Sequence, residues 1–206
     1  MAQYFHIHPD NPQHRLIHQA AEIIRKGGVI VYPTDSSYAI ACHLDDKQAL
    51  DRIRSIRKLD ENHDFSLVCE NLTQVSTFTK IANDAFRLIK TLTPGAFTFI
   101  LDATKEVPRR LQDEKKKTIG IRIPDNIIAQ ALITELGEPL LSSTLVLPDE
   151  VDAMSDPYEI RLRLEHEVDL IIDGGYIDYE PTTIISFANG SAQVLRQGKG
   201  VAPMLA

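Results

Sequence analysis

The chain has 206 residues, 43% of them hydrophobic, and a formal net charge of −7. That is apolar material enough for a substantial core in a single domain, 1–206, and no apolar run is long enough to span a bilayer, so a membrane partner is not expected. The N-terminus lacks the basic and apolar regions of a secretion signal and only Cys42 and Cys69 occur, which points to a cytoplasmic protein with buried, reduced thiols.

A helix is expected over 12–26, where Leu16, Ala20, Ile23 and Ile24 recur at helical spacing and Gly27-Gly28 supplies the stop. Val29 to Tyr32 then reads as a buried strand that runs into Pro33 and the hydroxyl-rich loop Thr34-Asp35-Ser36-Ser37. Such a loop at the carboxyl end of a strand is where open α/β sheets hold small polar ligands, although an ordinary Ser/Thr-stabilised turn has the same composition. Tyr38 to Cys42 reads as a second strand. Lys47 to Lys58 is helical, with Ala49, Leu50, Ile53 and Ile56 on its apolar face and Arg52, Arg54, Arg57 and Lys58 elsewhere.

Further strands are expected at Ser66–Cys69, Phe97–Leu101 and Thr118–Ile123, with a helix over Asn83–Leu92. Asp125 is placed to cap a helix from Ile127 to Leu136, which Gly137 closes, and Leu140 to Leu147 returns as a strand carrying Ser142, Ser143 and Thr144. The acidic stretch 148–158, with two prolines, reads as a long loop. Val168–Ile172 follows as a strand, and Thr183–Phe187 and Ala192–Arg196 flank an Asn-Gly hairpin turn. Alternating strands and helices with at least one antiparallel pair imply an α/β fold with a mixed sheet and helices packed on it.

Charge is unevenly spread. Asp149 to Glu180 holds eleven acidic residues against Arg161 and Arg163, a local −9 that leaves the remainder at +2. In Ile119-Gly120-Ile121-Arg122-Ile123 the isoleucines share one strand face and leave Gly120 and Arg122 together on the other. A guanidinium beside a side-chain gap suits a carboxylate or phosphate, and a structural salt bridge would also satisfy it. His6 and His8, and His14 and His18, have no cysteine or carboxylate to complete a metal-ligand pattern, so no protein-held metal is expected. The sequence contains no P-loop, nucleophile elbow or dinucleotide fingerprint.

Four segments, Gly27 to Tyr38 with its Pro-Thr-Asp core, Leu92 to Thr98, Gly120 to Pro124 and Val194 to Gly198, together resemble the YrdC-like family and its YciO branch. The resemblance implies a twisted mixed sheet with a large concave, electropositive cavity. It implies binding of a nucleotide or double-stranded RNA, and chemistry related to the making of threonylcarbamoyl-AMP from threonine, bicarbonate and ATP for tRNA modification, with Mg²⁺ arriving on the ATP as substrate. Residue by residue, it places Thr34, Ser36 and Thr182 around the amino acid and Arg122 on its carboxylate, and Ser143, one of the three strand hydroxyls, is expected beside them. Arg196 falls on a nucleotide-side arginine and Thr144 on the Ser-x-Asn hydroxyl; the basic cluster Arg52, Arg54, Arg57 and Lys58 on the helix is expected around a nucleotide or RNA, and Arg57, Arg122 and Thr144 form the expected catalytic set. Two positions depart from the family pattern. Its Lys-x-Arg stands here as Arg57-Lys58-Leu59, and its Ser-x-Asn as Thr144-Leu145-Val146. The expectation is therefore a nucleotide- and RNA-binding protein with weak or altered synthase chemistry, the alternative being an active synthase.

Overall fold

The computed structural model describes residues 1–60 and 63–205. In chain order the elements are β1 (Gln3–His6), α1 (His14–Arg25), β2 (Ile30–Pro33), β3 (Tyr38–His43), α2 (Lys47–Arg57), β4 (Ser66–Val68), α3 (Leu72–Phe78), β5 (Thr79–Lys80) and α4 (Asn83–Leu92). There follow β6 (Phe97–Ala103), β7 (Thr118–Arg122), α5 (Ile127–Leu136), β8 (Leu140–Thr144), α6 (Pro157–Leu164), β9 (Leu170–Asp173), β10 (Thr183–Ser186) and β11 (Gln193–Arg196). All the strands belong to one mixed sheet in the order β1-β9-β2-β3-β8-β4-β7-β6-β10-β11, with β5 paired to β6.

Local chemistry explains most of the boundaries. α1 ends where Gly27 adopts φ 85°, and α2 begins on Asp46, whose carboxylate accepts from the Ala49 N–H. Lys58 leaves α2 in the left-handed conformation at φ 51°, which turns the chain away from the helix axis. Asn126, not Asp125, caps α5 by accepting from the Ala129 N–H; the Asp125 N–H instead donates to the Asp35 carboxylate.

Other expectations are corrected too. β8 ends as a strand at Thr144, three residues before the expected limit, with a last bond to β3 from the Leu145 N–H to the Tyr38 carbonyl. The expected loop 148–158 overlaps α6, which starts at Pro157 on an Asp156 cap. α3, capped by Asn71, and the edge strand β1, which pairs in parallel with β9, were not expected.

The sheet carries two apolar layers. On one face, Val31, Ile40, Leu67, Ile121, Leu141 and Phe99 pack with α2, α3, α4 and α6. On the other, Ile30, Tyr32, Ala39, Ala41, Leu140, Leu170 and Ile172 pack under α1 and α5. The second layer is incomplete: α1 and α5 cover the side of the face built on β1, β9, β2 and β3 and reach Leu140 of β8 and Val68 of β4, while Ser142, Ser66, Gly120, Thr98 and Ile184, further across the sheet, border a hollow. Cys42 and Cys69 are buried free thiols, and burial pushes Cys42 up to about 12. Among the described residues no helix is long and apolar enough to cross a membrane.

Candidate functional site

The hollow on this face of the sheet is a pocket of about 240 Å³. Its floor follows from register: Ser66 pairs with both Gly120 and Ser142, and Gly120 also pairs with Ile100, so a row of small residues crosses β8, β4 and β7. A β-carbon on Gly120 would lie 2.7 Å from the Ser66 Oγ, so glycine and serine here keep the hollow open. One register step along, Val68 pairs with Arg122 and Ile184 with both Thr98 and Arg196. Paired residues point to the same side of a sheet, which turns Arg122 and Arg196 towards the same basin from β7 and β11. Arg57 reaches it from the end of α2 beside β8.

Arg122 is buried at 7% exposure, and its Nη2 donates to the Asp35 carboxylate at 2.7 Å and to Ser36 Oγ at 3.2 Å. Its Nε is buried without a partner among the described residues. A buried guanidinium nitrogen with no acceptor is costly, and Asp35 satisfies only one edge of the fork. Arg57 is held in plane by its Nε donating to the Val146 carbonyl at 2.9 Å and its Nη1 donating to Ser143 Oγ. Burial pulls its pKa below the ordinary guanidinium value. Arg196 donates from Nε and Nη2 to the Thr182 carbonyl, and the Thr182 hydroxyl lies 2.8 Å from that of Thr98. At the inner edge the Tyr32 and Ser142 hydroxyls share a hydrogen bond of 2.9 Å; burial pushes the tyrosine up to about 12, so it stays a neutral phenol.

The expected site residues thus divide. Arg57, Arg122, Ser143, Thr144, Thr182 and Arg196 line one pocket. Thr34 and Ser36 do not line it. The Thr34 hydroxyl accepts from the Ser36 and Ser37 N–H groups and donates to the Ser37 carbonyl, closing the loop as a Ser/Thr turn, and Ser36 acts by bracing Arg122. Arg52 is turned away to Asp169, 2.7 Å distant, and to the Glu167 carbonyl. Arg54 lies over the Phe65 ring and 3.5 Å from Asp51, and Lys58 is exposed past the end of α2; neither lines the pocket. Of the six cations expected around the cavity, Arg57, Arg122 and Arg196 line the pocket among the described residues, and the lining also holds Asp64 and Asp113.

The two departures from the family pattern have physical outcomes. Leu59 packs against the core, and Val146 takes part through its backbone, as the carbonyl that orients Arg57. Residues not anticipated from sequence include Thr98, Ser66, Asp113 and His63. The His63 ring lies 3.0 Å from Ser143 Oγ and 3.4 Å from Arg57 Nη1. Among the described residues no group of His, Cys, Asp and Glu is arranged to hold a metal; His14 and His18 both face Glu135.

The Sua5/YciO/YrdC family model, described as "Telomere recombination", matches residues 22–198. "Uncharacterized protein YciO" of Escherichia coli K12 is 57% identical over 206 residues, the whole of both chains, and the crystal structure of E. coli YciO superposes with a TM-score of 0.95 at 56% identity, again covering both chains fully. "Threonylcarbamoyl-AMP synthase" of Coxiella burnetii is 30% identical over 159 residues, 77% of this chain and 84% of that one. The crystal structure of P. abyssi Sua5 complexed with L-threonine shares the fold, with a TM-score of 0.87 at 22% identity, over 95% of this chain and 57% of the longer one.

Proposed function

The chain belongs to the Sua5/YciO/YrdC family, and from that premise we propose that its pocket binds an amino-acid carboxylate on Arg122 and nucleotide phosphates on Arg57 and Arg196, supporting a slow or altered threonylcarbamoyl-AMP-synthase-type reaction. The observation that carries this reading is Arg122 on the wall of a hydroxyl-lined pocket, its Nε buried and without a partner among the described residues. A carboxylate accepting from that edge would complete the fork and offset the cost of burying the charge.

In this chemistry a carbamate oxygen forms a bond to the α-phosphorus of ATP as pyrophosphate leaves. It requires no protein nucleophile. The protein's part is to orient the two reactants and to spread positive charge over the phosphates, with Mg²⁺ supplied on the nucleotide. Arg57 and Arg196 would meet the phosphates, and the Thr98, Thr144 and Thr182 hydroxyls would accept or donate as charge moves. With a leucine at position 59 and a valine at 146, two polar side chains of the family pattern are missing. Each lost charge-assisted contact costs about 1.5–3 kcal/mol, so turnover well below that of a relative with both motifs intact is expected.

A full-rate synthase is the second reading, favoured by the 30% identity to the Coxiella enzyme. A longer polyanion such as double-stranded RNA gains no support from Arg52, whose guanidinium is committed to Asp169. The deciding measurement is threonine- and bicarbonate-dependent release of pyrophosphate from ATP, run beside a family member with intact Lys-x-Arg and Ser-x-Asn. Slow release that vanishes in Arg122→Ala supports the proposal, and release at the comparator's rate supports the second reading. No release, with no binding of threonine or nucleotide, removes both.

A further inference from the structure

We propose that Arg57, His63 and Ser143 form a subsite selective for a terminal phosphate, a dianionic phosphomonoester or pyrophosphate, and that His63 takes up a proton as such a group enters. This deepens the nucleotide reading above and rests on it. Three observations carry it. His63 Nε2 is 3.0 Å from Ser143 Oγ, and Arg57 Nη1 donates to that same oxygen. Arg57 Nη1 can only donate and lies 3.4 Å from His63 Nε2 as well as against the Ser143 oxygen, so the cluster is best satisfied with Nε2 as the bare, accepting nitrogen and the Ser143 proton turned to it. The imidazole is thus neutral while only protein groups surround it.

The second observation is the charge environment. Burial and the Arg57 guanidinium lower the pKa of His63 from the ordinary value; Arg54, also from α2, adds to this, while Asp64 and Asp60 of its own loop oppose it. From the neighbouring elements, Ser143 of β8 is uncharged, Phe65 meets the ring edge-on at 5.2 Å, and Asp113 lines the same pocket. A dianion placed against Arg57 would outweigh that guanidinium and make the imidazolium the favoured form. A phosphodiester or a carboxylate brings a single negative charge, which Arg57 alone neutralises, so it draws in no proton.

The third observation is access. A second hollow of about 400 Å³ shares His63, Asp64, Leu111 and Asp113 with the pocket and adds Arg109, Arg110, Gln112, Glu114 and Lys115. His63 therefore stands between the pocket and a second hollow, lined by charges of both signs, from which a phosphate can reach it.

The test is calorimetric titration with AMP and with cyclic AMP from about pH 7 to 8.5, where the AMP monoester is already dianionic because its second pKa is about 6. In the wild-type protein AMP affinity should fall several-fold as pH rises, since the proton taken up becomes scarcer, and cyclic AMP affinity should stay level. In His63→Gln the AMP affinity should be weaker and level. Titration of the wild-type protein in two buffers of different ionisation heat counts the protons directly and needs no variant. AMP binding without proton uptake, or an equal pH slope in His63→Gln, overturns the inference and leaves the nucleotide reading standing. Absence of binding by AMP and ATP at every pH overturns both.

Discussion

Gly120 shows how a single side-chain absence can make a site. It is the low point of the Ser142-Ser66-Gly120 row, its φ is not in the left-handed region, and a β-carbon there would meet a rotatable serine hydroxyl. Gly120→Ala should therefore leave urea stability within about 1 kcal/mol of wild type, since removing a glycine also restricts the unfolded chain. The same methyl group projects into the pocket, so AMP affinity should drop by about tenfold or more. Unchanged affinity would place the ligand elsewhere. The pairing of Gly120 with Arg122 was legible from strand alternation alone. His63 and Asp113 were not, because each lies on an irregular segment with no periodicity to fix its direction. The contacts of Thr34 and Arg52 were not legible for a related reason: a hydroxyl or a guanidinium is satisfied by nearby backbone and carboxylate groups as readily as by a ligand, and the Thr34 hydroxyl closes its own loop while Arg52 reaches Asp169.

At the scale of elements, the long amphipathic helices and apolar strands were legible because burial imposes a period on them. The missed ones are short or atypical. α3 spans 7 residues and α6 spans 8, each resting on a side-chain cap more than on a broad apolar stripe, and β1 has a single buried residue. Capping also gives the sharpest contrast between sequence and structure. Asn126→Ala removes the acceptor of the Ala129 N–H and should cost about 1 kcal/mol. Its amide also donates to the Thr34 carbonyl at 3.4 Å, so the hydroxyl loop should loosen with it. Asp125→Ala leaves that cap and the backbone bond to Asp35 in place and should be nearly neutral. Chemical denaturation of the two variants side by side checks the assignment, and a larger loss in Asp125→Ala would reverse it.

Across the whole molecule, Asp35 ties the site together. Its Oδ1 receives Arg122 of β7 and its Oδ2 the Asp125 N–H ahead of α5, while its carbonyl accepts from Lys199 Nζ at 2.6 Å. The Arg122–Asp35 pair is almost entirely out of water, with the side chains 8% and 9% exposed. Removing one partner of such a pair strands the other charge, which typically costs about 3–5 kcal/mol. Asp35→Ala should therefore lower urea stability by that order in dilute buffer. If Arg122 is built to accept an external anion on the pocket side, added sulfate or threonine should return part of the loss in this variant, by binding the folded state alone. The double variant Asp35→Ala, Arg122→Met has no stranded charge, so it should be more stable than Asp35→Ala and indifferent to the anion. Equal anion responses in the single and double variants would mean that the pair is only a brace between strand and loop, and the case for Arg122 as the carboxylate anchor would fall with it.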